Sequence, residues 1–274
     1  MNDKQLAKLK EMAAVIREDI IEMIFAAGSG HPGGSLSATE LLTYLYFYRM
    51  NVNPKNPDDP GRDRFILSKG HACPVQYSTL AEKGYFNKDV LWTLRDIDSI
   101  LQGHPDMNKT PGIDITTGSL GQGFSHAVGM ALASRVNKLD YKVYVLLGDG
   151  ELQEGQIWEA AMAASHYSLG NLVAIVDDNG LQCDGCTDDV MRVRPIGEKF
   201  ASFGFDVAQI SADDMTQMDE AFESFDYTNG RPKCIVMESV KGRGVCFMEN
   251  EAGWHGGAPN EQEYRDAINE IRGA

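Results

Sequence analysis

Two short segments rich in glycine and acid carry the first chemical signal. GDG (148–150) closes the apolar run KVYVLL (142–147), and about thirty residues on the run LVAIV (172–176) closes on DDNG (177–180). Glycine lets a backbone approach a ligand closely. The free N–H groups and positive dipole end of a helix that starts nearby favour a phosphate group. Asp149 adds a hard carboxylate oxygen and Asn179 an amide oxygen. Mg²⁺ takes about six oxygens, commonly one or two carboxylates with phosphates, a carbonyl and water as the rest. Alone, GDG reads as well as a surface turn; DDNG at the end of the next apolar run favours a phosphate-and-cation site. A dinucleotide fingerprint does not fit, because in GDGELQEG the third glycine, Gly155, falls two places late for G-x-G-x-x-G.

Histidine is the second signal. His31, His71 and His104 each follow a glycine, His255 precedes two, and His31 and His104 also precede a proline. A neutral imidazole offers one donor and one acceptor, which suits sugar hydroxyls. Any one of these residues reads more readily as structural; four in glycine-rich loops around one phosphate site point to a cleft. His126 and His166 fall within expected helices and receive no role. Cys183-x-x-Cys186 has the spacing of a metal or redox pair, but no second pair matches it, which disfavours that reading.

The elements that must position these residues follow from periodicity. Leu6, Leu9, Ala13, Ile16, Ile20 and Ile24 predict a helix over about 4–26, ending at GSGHPGGS (28–35). Ser37 and Glu40, ahead of LLTYLYFY, read as a capping box. The three prolines of 51–62 mark a loop. RFILS (64–68), 142–147, 172–178, FDVAQI (205–210) and CIVMESV (234–240) read as strands, and 121–138, 152–167 and 261–272 as helices. Continuously apolar strands alternating with helices imply a mainly parallel sheet covered on both faces, a three-layer α/β/α fold. One domain over 1–274 accommodates them all.

Composition excludes several classes. The formal net charge of −15 argues against a general nucleic-acid surface. No run of 18 apolar residues is present and the start lacks an apolar signal core, so neither a membrane span nor a secretion signal is expected. Five irregularly spaced cysteines suit a reducing cytoplasm better than a disulfide framework.

GDG followed at this distance by an Asn-containing strand end is similar to the thiamine-diphosphate signature. SGHPGGSLS (29–37), ILSKGHACPVQYSTL (66–80), QGHP (102–105), TTGSLGQGFSHAVGMALA (116–133) and WHGGAP (254–259) resemble transketolase, in family order over about 10–260. The resemblance implies thiamine diphosphate held with Mg²⁺ (or Ca²⁺ or Mn²⁺) by Asp149, Asn179 and the carbonyl of Leu181. Gly148 and Gly150 would contact the diphosphate through their backbone, and His71 would contact it too. Gly118 and Leu120 would lie by the aminopyrimidine. His31, His104 and His255 would line the channel for the donor sugar, and Glu154 and Glu159 would stand near the interface between active sites. Ser119 departs from a more usual Pro, Cys183 from an aliphatic residue that supports the cofactor, and Asp178 from the second Asn of many thiamine enzymes.

In that family a second domain supplies the glutamate that hydrogen-bonds the aminopyrimidine and most residues that grip the sugar phosphate. Full-length members are more than twice as long as this chain. The resemblance therefore implies a split enzyme, with the pyrimidine-binding and C-terminal domains on a partner chain in an α2β2 assembly. Its reaction would transfer a two-carbon ketol unit from a ketose or ketose phosphate to an aldose. The alternatives are another thiamine enzyme, such as a deoxyxylulose-phosphate synthase or a 2-oxo-acid decarboxylase, and a non-catalytic cofactor-binding subunit.

Overall fold

Five of the apolar runs pair side by side as one parallel sheet in the computed structural model, which describes residues 1–273. Helices α1 (Asp3–Ala27), α2 (Pro32–Leu36) and α3 (Thr39–Tyr44), the last continued by a π-helical turn over Leu45–Arg49, precede strand β1 (Arg64–Leu67). Helices α4 (Cys73–Lys83) and α5 (Gln122–Val136) lead to β2 (Val143–Gly148). A 3₁₀ turn over Gly150–Gln153 and helix α6 (Gly155–His166) lead to β3 (Leu172–Asp178). A small antiparallel hairpin follows, β4 (Leu181–Gln182) with β5 (Gly185–Cys186). The chain then forms α7 (Thr187–Met191), α8 (Ile196–Ser202), β6 (Asp206–Ser211), α9 (Met215–Ser224), β7 (Lys233–Glu238) and α10 (Glu261–Arg272). Strand order in the sheet is β1-β2-β3-β7-β6.

Successive strand side chains point to opposite faces, and each face has its own core. Phe65, Leu67, Tyr144, Leu146, Val173, Ile175, Ile235 and Met237 pack with α1, α3, α4, α9 and α10. Ile66, Val143, Val145, Leu147, Ala174, Val176, Cys234 and Val236 pack with α5, α6 and α8. Burial on both faces is why these strands are apolar throughout. The architecture is the expected three-layer α/β/α arrangement. Among the described residues no helix is long and apolar enough to cross a membrane.

Helix α1 starts at a capping box, with Gln5 N–H donating to the Asn2 side chain and Asn2 N–H to that of Gln5, and stops at Gly28 in a left-handed conformation. That stop delivers the chain into the His31 loop.

Three local expectations change. The Ser37/Glu40 capping box does not form: α3 begins after Ala38 with no side-chain cap. The Ser37 hydroxyl instead donates to Asp177 Oδ2 at 2.7 Å, and Glu40 pairs with Arg17. Ser37 already has helical backbone angles (φ −63, ψ −21) at the end of α2, so it does not take the extended conformation of an N-cap. The helix expected over 152–167 starts at Gly155, after the 3₁₀ turn that follows Asp149. Helices α4, α8 and α9 add to the expected set. Residues Cys73 to Ala81 of α4 are all buried, which erases the one-sided pattern that would have marked it.

Candidate active site at the carboxyl ends of the strands

Pairing of β2 with β3 sets Gly148 beside Asp177, so the two acidic turns lie together. Asp149 Oδ2 accepts the N–H of Gly180 at 2.8 Å and the Thr187 hydroxyl at 3.2 Å, and Oδ1 accepts the N–H of Gly150 at 2.8 Å. Asn179 donates through Nδ2 to Asp177 Oδ2 at 3.0 Å, and its Oδ1 accepts the N–H of Leu181 at 3.1 Å. The carbonyl of Leu181 accepts Lys241 Nζ at 2.8 Å. The three oxygen donors expected to bind a cation are thus gathered around one peptide, Gly180.

This donor set fits a divalent cation. Carboxylate, amide and peptide oxygens are all hard ligands, and the Leu181 carbonyl already draws a positive group. Burial pushes the Asp149 carboxyl above its ordinary range, the Asp177 charge adds to that, and the three donors oppose it. No cation pairs with Asp149 among the described residues, whereas Asp177 is paired with Lys69 and Asp178 with Arg194. A cation here would complete the charge balance.

The cleft over these turns measures about 270 Å³ and reaches Lys69, His71, Leu120, Cys183, Lys241 and His255. A groove of about 530 Å³ lined mainly by Leu9, Met12, Val15, Phe47 and Tyr48 shares none of its residues and lacks convergent polar groups. The cleft floor depends on residues that no sequence pattern singled out. Asp177 accepts from Ser37, Ser239, Asn179 and Lys69. Burial would raise its pKa, but the Lys69 ammonium and the hydroxyls hold it below the ordinary carboxylate value. Through Asp177 the amide of Asn179 is oriented. Lys69 also donates to the carbonyl of Gly34 at 2.8 Å, and Lys241 donates to both Leu181 and His255 Nδ1. Burial and the Lys69 charge pull Lys241 down to about 8.

The four histidines of the glycine-rich loops come together. The His31 ring lies 5.2 Å from His71, 5.8 Å from His255 and 6.4 Å from His104, centre to centre, and His71 lies 4.9 Å from His255. The His255 segment is tied to the His31 loop by Gly257 N–H donating to the Gly30 carbonyl at 2.8 Å. The Tyr77 hydroxyl anchors the His104 loop by donating to the carbonyls of Gln102 and His104. Arg95 sits at the edge, donating to the Ser29 hydroxyl at 3.1 Å with His31 Nδ1 at 3.5 Å.

Burial, then Arg95, lowers His31 to about 4; burial, then Lys241, lowers His255 to about 4. Burial and Lys69 push His71 well below its ordinary value, and burial with Arg95 lowers His104. All four rings are therefore neutral near neutral pH, each with one donor and one acceptor. An NMR titration should find no protonation of His31 or His255 between about pH 8 and pH 5.5; a midpoint near 6.5 would show open, solvated rings. The sign for stability follows. Both values are depressed, so the unfolded chain takes up these protons first. The contribution of the two rings is complete above about 6.5 and is lost as pH falls toward about 4.

The remaining expected residues are placed as follows. Gly118 has φ +152, and a Cβ there would meet the His104 ring at 3.3 Å. A Cβ on Gly150 would stand 3.0 Å from that of Gln182. Leu120 and Glu154 border the cleft, and Glu154 is exposed at the start of α6. Glu159 is exposed on α6 and does not border the cleft. The N–H of Gly148 donates to the buried carboxylate of Glu151 at 3.0 Å. The Gly150 N–H is likewise engaged, by Asp149. Cys183 and Cys186 are exposed thiols on the hairpin beside the cleft, and all five cysteines are free.

The chain is similar to known proteins over nearly its whole length. Residues 8–272 match the family model for the transketolase thiamine diphosphate binding domain. An apulose-4-phosphate transketolase subunit of Phocaeicola vulgatus is 44% identical over 267 residues, covering 97% of this chain and 95% of that protein. The 6-deoxy-6-sulfo-D-fructose transketolase subunit SqwG of a Clostridium species is 43% identical over 271 residues, covering 99% and 98%. Among solved structures, transketolase from Leishmania mexicana superposes with a TM-score of 0.91 at 32% identity, over 96% of this chain but 41% of that one.

Proposed function

Because this chain belongs to the transketolase family, through its thiamine diphosphate binding domain, we propose that it is the diphosphate-binding subunit of a split transketolase. Near full-length agreement with proteins named as transketolase subunits favours this over the other thiamine reactions and over a non-catalytic subunit. One observation carries the reading: four neutral imidazoles cluster beside a cleft in which Asp149 is tied to the Asn179–Leu181 turn.

When bound, thiamine diphosphate supplies the electron sink that lets the bond beside a ketose carbonyl break and a two-carbon unit pass to an aldose. The chain's residues bind and orient. Asp149, Asn179 and the Leu181 carbonyl hold Mg²⁺, or Ca²⁺ or Mn²⁺ in its place. His71 binds the diphosphate from beside Lys69 and Lys241, whose charges offset the phosphates. Gly118 and Leu120 meet the aminopyrimidine. His31, His104 and His255 hydrogen-bond the donor's oxygens, with Arg95 adding positive charge at their edge. Relatives named for a phosphorylated and a sulfonated sugar make an anionic ketose the favoured donor class.

The partner carries the pyrimidine-binding domain. Relatives named as single subunits of larger transketolases support a separate partner chain. Closed symmetry is the usual rule for oligomers, and two copies of each chain satisfy it. Exposed Val136, Met162 and Tyr167, on and just beyond α5 and α6, offer apolar surface for the assembly. Glu154 and Glu159, exposed at the start and along the length of α6, belong to the same surface. The free cysteines suit a cytoplasmic setting.

Alanine at His31, His104 or His255 should lower turnover on ketose donors by an amount equivalent to roughly 1–3 kcal/mol, the cost of leaving a partner group unpaired. Affinity for thiamine diphosphate should hardly change. Donor kinetics and cofactor titration on the assembled complex test this; parallel loss of both would make these residues structural or cofactor ligands.

A further inference from the structure

Glu151 lies two residues past Asp149, yet it is only 2% exposed. One carboxylate oxygen accepts from the Ser68 hydroxyl and from Gly121 N–H at 2.8 Å; the other accepts from Gly148 N–H at 3.0 Å. The donors come from three separate segments. Ser68 follows β1, Gly148 ends β2, and Gly121, with φ +84, closes the 118–121 loop at the start of α5. A buried carboxylate is expensive unless its lone pairs are met, and here three donors meet them, two of them from distant parts of the chain. One side chain therefore fastens the loop of Gly118 and Leu120 to the turn of Asp149 and Gly150.

We propose that Glu151 is a positioning residue that couples the ring end of the cofactor cleft to its diphosphate end, so that ordering one orders the other. This rests on the thiamine-diphosphate reading above. No substrate contact is required of Glu151; it acts through Gly121 and Gly148.

Glu151→Gln keeps the volume but replaces one acceptor with an NH₂ group. At least one of the three donors must then face another donor, and the fastening opens. Hydrogen exchange on the full chain with Mg²⁺ and inorganic pyrophosphate is the direct test, because pyrophosphate has no ring to touch the 118–120 loop. In the parent chain, protection should rise in peptides covering 146–152 and also in those covering 117–123. In Glu151→Gln, the rise should be confined to 146–152. The affinity of the assembled complex for thiamine diphosphate should also fall about 10-fold or more, the usual scale for losing a residue that orients a binding group, while the variant stays folded with a thermal midpoint lowered by only several degrees.

Protection of 146–152 alone in the parent would overturn the coupling, as would unchanged spread in the variant. If the variant does not fold, the parent experiment decides by itself. Protection of neither segment, with thiamine diphosphate also without effect, would remove the proposed function along with this inference. Binding of thiamine diphosphate without spread would remove only the inference.

Discussion

Asp149→Ala should leave no saturable binding of thiamine diphosphate at concentrations about 100-fold above the Kd of the parent complex, a loss of at least about 2.7 kcal/mol. Asp149 is the one carboxylate at the site with a place in the expected cation set and no cationic partner among the described residues. Removing it takes away the ligand that binds the metal by charge, and the metal is what offsets the diphosphate. Asn179→Ala removes a neutral ligand and should weaken binding by about 10-fold or more. The fold should survive, because Asp149 stands at the end of β2 rather than in either core, and its removal also relieves repulsion with Asp177. The amides of Gly150 and Gly180 lose their acceptor but lie at the cleft, within reach of water. Calorimetric titration with Mg²⁺ present, alongside a thermal melt, measures both. Unchanged affinity in the alanine variant would sink the site assignment.

What the sequence discloses and what it hides separate along physical lines. The sheet was legible because strands buried on both faces must be apolar throughout, as 143–147 and 172–176 are. Asp149 and Asn179 were legible because such runs end abruptly in glycine and acid. His31, His71 and His104 were legible because each follows a glycine, and His255 because it precedes two. Lys69, Asp177, Glu151 and Lys241 were not. Each is a charged residue whose partners come from distant parts of the chain, such as Asp177 with Ser37 and Ser239, and no local pattern encodes such a partner. The Ser37 capping box failed because Ser37 is already helical at the end of α2, while its hydroxyl serves a carboxylate 140 residues away. Glu151 shows the limit most plainly. GDGEL reads as an acidic turn, and only the folded chain shows that this acid faces inward and takes the amide of Gly148.

The purified chain alone should show no ketol transfer, and a partner of about 300 residues, enough for a pyrimidine-binding domain and one more, should restore it. The Leishmania transketolase extends well beyond the match, which spans 41% of it, whereas the subunit relatives match over 95% and 98% of their length. The chain's own cleft supports the same conclusion. Its polar groups gather at one end, around Asp149, Lys69 and Lys241. At the other end, Gly118 and Leu120 supply backbone and one apolar side chain. Glu151, whose carboxylate holds Gly121 at that end, is already bound to three donors and cannot also serve a pyrimidine. A glutamate from another chain would meet that need. Light scattering with size-exclusion chromatography should show the mixture forming a complex that contains two copies of each chain, and a coupled assay should show activity only in that fraction. Strong activity from this chain by itself would refute the split arrangement and require a pyrimidine-binding carboxylate among its own residues.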